Sequence, residues 1–424
     1  MEFHNLISQS PLDRPLTIAI AGAGGRGSQY ARMNALLENP ARIVAVADPA
    51  QGRLDYVRDE HGVPEDGLFH SWRELAGRPR LADAILICTQ DNDHLEPTLA
   101  FARLGYDILL EKPMAITEAE CEAIEAASRE YGVSISVCHV LRYTPYTVRL
   151  MELLGDGAIG DIVSVEHLEP IGFDHFAHSY VRGSWRTTKE AAPMLMAKSC
   201  HDIDWLSYVI GRPVERVQSF GSLRHFTAAN KPAGAADRCV GCAVAADCPY
   251  DATRIYEIGN LPFALSAMLG GRQPTPELVS EALLTSQYGR CVYECDNDVA
   301  DHQVVNLEYE GGVTASFTVT AFTLIAGRKT SIFGTHGMIV GDSDTISVTD
   351  FGTKETVVHP TAPVDHTASG GHGGGDYGLM KSFVEALSTG KRELILTDVA
   401  ESLATHKVVF AAERSRETGT VVTV

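Results

Sequence analysis

Apolar residues in the first third of the chain fall into short unbroken runs, separated by stretches in which they recur every third or fourth position. LTIAIAG, RIVAVADP, ADAILICT, DILLEKP and VSISVCHVLRY are the short runs, and they read as strands covered on both faces. SQYARMNALLEN, SWRELAG, HLEPTLAFARLG and ITEAECEAIEAASREYG lie between them with helical spacing. Alternation of strand and helix at this spacing predicts βαβ units and a parallel sheet.

Near residue 145 the pattern changes. TVRLMELLGDG keeps helical spacing, but DIVSVEHLEPIG alternates like a strand with one wet face. DHQVVNLEYEGGVTASFTVTAF, RKTSIFGTHGMIVGD, TISVTDFG and KETVVHP follow as consecutive strands separated by turn residues such as Gly311 and Gly312. Strands without intervening helices predict an open, mainly antiparallel sheet. DYGLMKSFVEALSTG and DVAESLATHKVVFAAERSRETG close the chain as two helices with C-terminal glycines. Between them and the strands, SGGHGGGD reads as a flexible loop. The expected organisation is therefore α/β in both halves: residues 1–145 with the parallel sheet and 146–424 with the antiparallel one, carrying an irregular cysteine-rich insertion at about 225–300.

Composition narrows the function classes. The 424 residues carry a formal net charge of −20, which argues against nucleic acid or an anionic membrane surface as partner. No uncharged apolar run approaches the roughly 18 residues of a membrane span. The N-terminus shows no basic, apolar and small-residue leader pattern, and the nine cysteines are odd in number, which fits a reducing cytoplasm better than a disulfide framework.

The first strand ends in IAIAGAGGRG, which places Gly22, Gly24 and Gly27 in G-x-G-x-x-G order between a strand and a helix, with Arg26 inside the loop. Such glycines allow a tight turn and let a pyrophosphate approach the helix N-terminus. Asp48 ends the second strand roughly 20 residues further on, where a carboxylate accepts the adenosine ribose hydroxyls and repels a 2′-phosphate. Pro49 follows with no Arg or Lys adjacent, so NAD is expected over NADP.

The glycine loop, TQDNDH after the third long strand and above all LLEKP resemble the Gfo/Idh/MocA oxidoreductases, typified by glucose–fructose oxidoreductase and inositol dehydrogenase. The resemblance extends over nearly the whole chain. It implies a Rossmann domain followed by an α/β domain with an open antiparallel sheet, substrate held between them, and assembly as homodimers or homotetramers. It assigns Glu111, Lys112 and Pro113 to the cofactor-side catalytic motif, and Thr89 and His94 to the loop along the dinucleotide. Trp185 and Arg186 of SWRT fall near the nicotinamide, and His201 matches the active-site histidine. The family's aspartate four positions before that histidine is absent: Ala197 stands there. Lys198, three before His201, shares its helical stripe, and is expected to face the substrate with Lys112 and His201. Lys112, Lys198 and His201 are thus the catalytic candidates, and His178 joins them as a substrate contact, with neighbouring His175 as a further pocket residue.

RCVGCAVAADCPYDA supplies Cys239, Cys242 and Cys248, and RCVYEC supplies Cys291 and Cys295. A C-x2-C turn aims two thiolates at one point, so a structural zinc held by Cys239, Cys242, Cys248 and Cys291, with Cys295 the alternative fourth ligand, is expected. The C-x5-C-P spacing leaves an iron–sulfur cluster as the other metal option. The functional expectation is an NAD(P)-dependent dehydrogenase acting on CH–OH of a sugar, sugar acid, cyclitol or glycoside. The alternatives are a glycosidase or lyase that oxidises C3 transiently on NAD, and a non-catalytic sugar or NAD sensor.

Overall fold

The computed structural model describes residues 11–361 and 372–424. Six parallel strands form the first sheet: β1 (Thr17–Ala21), β2 (Arg42–Ala47), β3 (Leu68–Phe69), β4 (Ala84–Ile87), β5 (Asp107–Leu110) and β6 (Ile135–Val137). Their order, β3-β2-β1-β4-β5-β6, is that of a doubly wound sheet whose crevice opens at the C-terminal ends of β1 and β4. The unbroken apolar runs explain the architecture: every residue of β4 and β5 is buried, so helices must cover both faces.

The second sheet has nine strands: β7 (Ile162–Pro170), β8 (Val214–Ser222), β9 (His302–Tyr309), β10 (Thr314–Thr320), β11 (Lys329–Gly334), β12 (Gly337–Gly341), β13 (Thr345–Asp350), β14 (Thr356–Pro360) and β15 (Val422–Thr423). Their order is β14-β13-β12-β11-β7-β10-β9-β8-β15, antiparallel except where β7 meets β10. Alternating burial along β9 and β10 leaves one face open, and the other is covered by helices Met194–Ile210 and Val399–Thr418. The segment between β8 and β9 contains only short helices, as its irregular sequence suggested.

The two halves are not cleanly separated along the chain. Helix Gly375–Thr389 returns to the first domain, where Leu379, Met380 and Phe383 share a buried core with Tyr30, Met33 and Leu109. Of the expected loop at 369–376, residues 369–371 lie outside the described residues; His372–Gly374 make a tight turn that starts this helix. Not anticipated either is a π-helical turn at Ala177–Arg182.

Helix Met194–Ile210 is buried on nearly every side, so its charged residues need partners. Asp204 accepts from Arg142 Nε and Nη2 at 2.8 and 2.7 Å, and Arg142 continues to Glu401 at 2.7 Å. Burial opposes ionisation of Asp204, yet the Arg142 charge prevails and its carboxyl stays below the ordinary value. His139 and His406 pack beside it with ring centroids 5.5 Å apart. Burial pushes them down to about 4 and about 3 from 6.5.

Asp204→Ala leaves the Arg142 guanidinium short of its main partner in the interior; a loss of about 3–5 kcal/mol, read by urea unfolding, is expected. Acid sensitivity has a defined sign. The native state disfavours protonation of His139 and His406, so their contribution is complete above the unfolded value of about 6.5 and is lost as pH falls from there towards 4. The unfolding midpoint should therefore drop steadily through that window, and a flat midpoint between pH 6.5 and 4 would contradict it.

Candidate active site

The glycine loop has the shape its spacing implies. At Gly22, φ is +96° and a Cβ would lie 2.3 Å from the Cys88 carbonyl oxygen; at Gly27 a Cβ would lie 2.0 Å from the Gly22 carbonyl oxygen. Gly22 thus lets the end of β1 pass close to the segment after β4, and Gly27 lets the helix Gly25–Ala35 close onto the end of β1. Gly24 and Gly25 are different: a Cβ at Gly25 would meet nothing within 4 Å. That open space in front of a helix N-terminus fits a dinucleotide pyrophosphate. Asp48, buried at the end of β2, accepts from the Ala23 and Ala50 amides at 2.9 Å, one on each oxygen. Oδ1 keeps a lone pair for a ribose hydroxyl, while Oδ2 also takes Arg53 at 3.4 Å.

Two details depart from the sequence reading. Arg53, five residues beyond Asp48, comes from the next helix to 3.4 Å of the Asp48 carboxylate and lies 3.7 Å from where a Gly24 Cβ would be. A cation does stand beside this site, although none adjoins Pro49. Arg26, expected at the cofactor, turns its guanidinium into the protein. Its guanidinium is taken up by Glu111 at 2.6 Å, Tyr30 at 2.6 Å and Asp376 at 2.8 Å. The loop is thereby tied to the Glu111-Lys112-Pro113 segment and to helix Gly375–Thr389.

Glu111 also accepts from the Tyr30 hydroxyl at 2.7 Å and from the Lys112 amide at 2.8 Å. Burial works against its charge, but Arg26 and Lys112 hold the carboxyl below its usual value. The Lys112–Pro113 peptide is cis. His94 is buried; its Nδ1 lies 2.7 Å from the Pro113 carbonyl oxygen and its Nε2 3.3 Å from that of Thr89. Thr89 Oγ1 donates to the Asp93 carbonyl at 2.7 Å. His94 and Thr89 therefore shape the loop that leads to Lys112.

Lys112 Nζ donates to the carbonyl oxygen of Ala197 at 2.5 Å. The residue that replaces the family's aspartate thus still meets the lysine, through its backbone. One turn on, His201 is buried, with Arg328 Nη2 3.0 Å from its Nε2. Burial, then Arg328 and Lys112, oppose its protonation and push it well below the ordinary histidine value, against the pull of Asp202. Lys198 is held at 3.0 Å by Glu169, which also takes Arg328 at 3.1 Å. Lys198 therefore faces a carboxylate on the same wall as His201. Asp202 is fully buried between Arg328 and His167 and serves as an anchor.

Arg328 and Glu169 are functional residues the sequence reading missed. Arg328 looks like an ordinary charged residue ahead of β11. Glu169 had a signal: it and His167 fall two apart on β7, on the covered face with Val165. Polar residues on the face meant for the core mark a site.

Other expectations divide. Trp185 Nε1 donates to Asp91 at 2.9 Å, which joins SWRT to the TQDNDH loop, while Arg186 pairs with Asp296 and Glu190. His175 is half-buried and has Lys198 among the charges that disfavour its protonation, after burial itself. His178 is buried, bonded to the Tyr256 hydroxyl at 2.8 Å and stacked on Tyr288 at 5.1 Å, which sets it in an aromatic cluster.

The metal cage is not formed. Among the described residues no group of three or more His, Cys, Asp or Glu side chains is placed to hold a metal ion. Cys239, Cys242, Cys248 and Cys291 do line one small cavity of about 20 Å³, but they share it with Arg182. Arg182, almost wholly buried, is directed at the Cys239 sulfur at 3.4 Å and at the Tyr250 carbonyl at 2.8 Å. Burial raises the Cys248 and Cys291 thiols.

Asp48→Ala should weaken NAD binding and narrow its margin over NADP, while Arg53→Ala should widen that margin; fluorescence titration with both dinucleotides measures each. Tighter binding of NADP than NAD by the wild type would overturn the assignment of Asp48.

The model of the oxidoreductase family with an NAD-binding Rossmann fold matches residues 16–139, and that of the family's C-terminal alpha/beta domain matches 151–424. The YteT protein of Bacillus subtilis (strain 168) is 24% identical over 331 residues, 75% of this chain and 74% of its own. The 2,7-anhydro-N-acetylneuraminate hydratase of Escherichia coli (strain K12) is 24% identical over 206 residues, 49% of this chain and 52% of the hydratase, so that match spans about half of its length. Among solved structures, levoglucosan dehydrogenase in complex with NADH and levoglucosan aligns with a TM-score of 0.70 at 18% identity, over 97% of this chain and 99% of that one; what it shares is the fold. With family models running over both halves, the chain belongs to the Gfo/Idh/MocA oxidoreductases, and its first domain is their NAD-binding Rossmann domain.

Proposed function

We propose that the protein is an NAD-dependent dehydrogenase acting on a CH–OH group of a sugar, sugar acid, cyclitol or glycoside. The observation that carries this reading is the meeting of Lys112 with the Ala197 carbonyl. It joins the dinucleotide-binding domain to a wall formed by Lys198, His201, Glu169 and Arg328. NAD, bound on the glycine loop and Asp48, supplies the hydride acceptor. The chain does the rest. Lys198 and Glu169 offer a donor and an acceptor for ring hydroxyls, and fix which carbon faces the nicotinamide. Lys112, whose Nζ meets a neutral carbonyl rather than a carboxylate, exchanges the proton of the reacting hydroxyl as the hydrogen on the same carbon leaves with its electron pair. Family relatives carry names for sugar chemistry, which supports the substrate class.

A redox-neutral reaction is the second reading, favoured by Ala197 in place of the aspartate. Oxidation at C3 would acidify the neighbouring C–H, elimination would break a glycosidic bond, and the ketone would be reduced again. The name of the hydratase relative supports it. A cytoplasmic home belongs to the proposal, supported by nine free cysteines. So does assembly through the open face of the second sheet, where Val163, Phe220, Val340 and Val358 are exposed. Among the described residues no helix is long and apolar enough to cross a membrane.

A screen of sugars, inositols and glycosides with NAD should show net growth at 340 nm for a dehydrogenase, or product without net NADH for the second reading. Binding without turnover of any of them would overturn both. Lys112→Ala should abolish turnover while NAD still binds. Lys198→Ala removes a charged hydrogen bond worth about 1.5–3 kcal/mol, so kcat/KM should fall by roughly 10–100-fold, mostly through KM; an unchanged KM would make Lys198 a structural lysine.

A further inference from the structure

We infer that Arg328 is a positioning residue that fixes His201 as the neutral imidazole with its proton on Nδ1, so that His201 is a hydrogen-bond donor to the substrate oxygen and not the base. The substrate part of this inference rests on the proposed function; the tautomer does not.

Arg328 Nη2 lies 3.0 Å from His201 Nε2. A guanidinium has five N–H donors and no acceptor. The bond can therefore form only with a lone pair on Nε2, which leaves the single imidazole proton on Nδ1. An imidazolium there would set N–H against N–H. Arg328 is not free to turn away. Its Nε is bonded to Asp202, its Nη2 lies 3.3 Å from the other Asp202 oxygen, and Glu169 takes it at 3.1 Å. Asp202 is itself fully buried and held by His167 Nε2 at 3.3 Å. The charges and titratable groups that face His201 are Asp202 on its own helix, Arg328 ahead of β11, Lys112 after β5 and His372 at the start of helix Gly375–Thr389; all but Asp202 disfavour a positive imidazole.

The second observation is independent. His201 Nδ1 is buried and has no hydrogen-bond partner among the described residues. A buried donor left unsatisfied costs about 1–3 kcal/mol, and a substrate hydroxyl or carbonyl oxygen is the partner it lacks. Lys112 is anchored one helical turn away on Ala197, so donor and proton acceptor come from different residues. The donor strengthens as charge grows on the oxygen during oxidation.

The tautomer is read directly by NMR of protein labelled with ring-¹³C,¹⁵N histidine, the His201 signals being those missing from His201→Gln. The wild type should show a neutral, Nδ1-protonated ring throughout about pH 5–8. In Arg328→Met the ring should begin to titrate towards the ordinary value of about 6.5, and the rate of any substrate found by the screen should gain a matching pH dependence. Arg328→Lys, which still donates, should restore the wild-type spectrum. A wild-type His201 protonated on Nε2, or an imidazolium at neutral pH, overturns the inference, as does an unchanged spectrum in Arg328→Met. If Arg328→Met does not fold, the wild-type spectrum decides alone. Absence of sugar turnover together with the Nδ1–H spectrum would sink the proposed function and leave the Arg328–His201 assignment standing.

Discussion

A carboxylate taken out of water must find a cation or give up its charge, and helix Met194–Ile210 carries two of them, Asp202 and Asp204, at full burial. Two positions apart, they project to different sides of the helix. Asp204 finds Arg142, which follows the last strand of the parallel sheet. Asp202 finds Arg328, which precedes a strand of the antiparallel sheet. The helix is thus pinned to both domains by charges that cannot be left alone. The face between those two anchors carries Lys198 and His201. The cleft has its geometry because the helix cannot roll without stranding one carboxylate.

A second ring of charges does the same for the dinucleotide side. Arg26 lies within the glycine loop but spends its guanidinium on Glu111 and Asp376. The loop that would hold NAD, the segment that carries Lys112 and the helix that returns from the far end of the chain are therefore one unit. His372 adds to it, bonded to Asp376 at 3.1 Å with its ring centroid 5.9 Å from that of His201. This explains why the last helices of the chain pack into the first domain. Without Asp376 the Arg26 side chain would retain Glu111 and Tyr30, and the tie between the glycine loop and the returning helix would be lost.

Features that depend on local pattern were legible in the sequence. Unbroken apolar runs and alternating ones separated the two sheets, and Gly22, Gly24, Gly27 and Asp48 located the dinucleotide crevice because their roles follow from backbone shape at fixed offsets. Lys112 and His201 were legible through a family resemblance. Features that depend on which charge meets which were not. Nothing local says that Arg328 travels to Asp202, that Arg26 turns inward, or that Arg53 reaches back to Asp48; these are pairings made across the fold. The cysteines show what spacing leaves open. Their spacing suggested a metal cage, and they do come together around one cavity, yet a buried arginine lines it with them. His178 is similar, since a histidine in a polar-looking stretch can still be stacked into an aromatic core.

The exchange of aspartate for Ala197 alters the electrostatics more than the geometry. Lys112 keeps its place because the Ala197 carbonyl receives it, but a dipole has replaced a full negative charge. The cations of the cleft are nevertheless matched: Lys112 has Glu111 and Asp91 for charged neighbours, and Lys198 and Arg328 share Glu169 and Asp202. Arg328 and Lys112 oppose a positive imidazole at His201. Cations that close to a bound oxygen favour negative charge growing on it. Under either proposed reaction that helps a hydroxyl give up its proton, and the polarised ketone has a more acidic neighbouring C–H. The same cations therefore suit both simple dehydrogenation and the oxidation–elimination route. What separates the two is how long the ketone stays in the cleft, which is set by the donors and acceptors that Lys198, Glu169 and His201 offer to the rest of the ring.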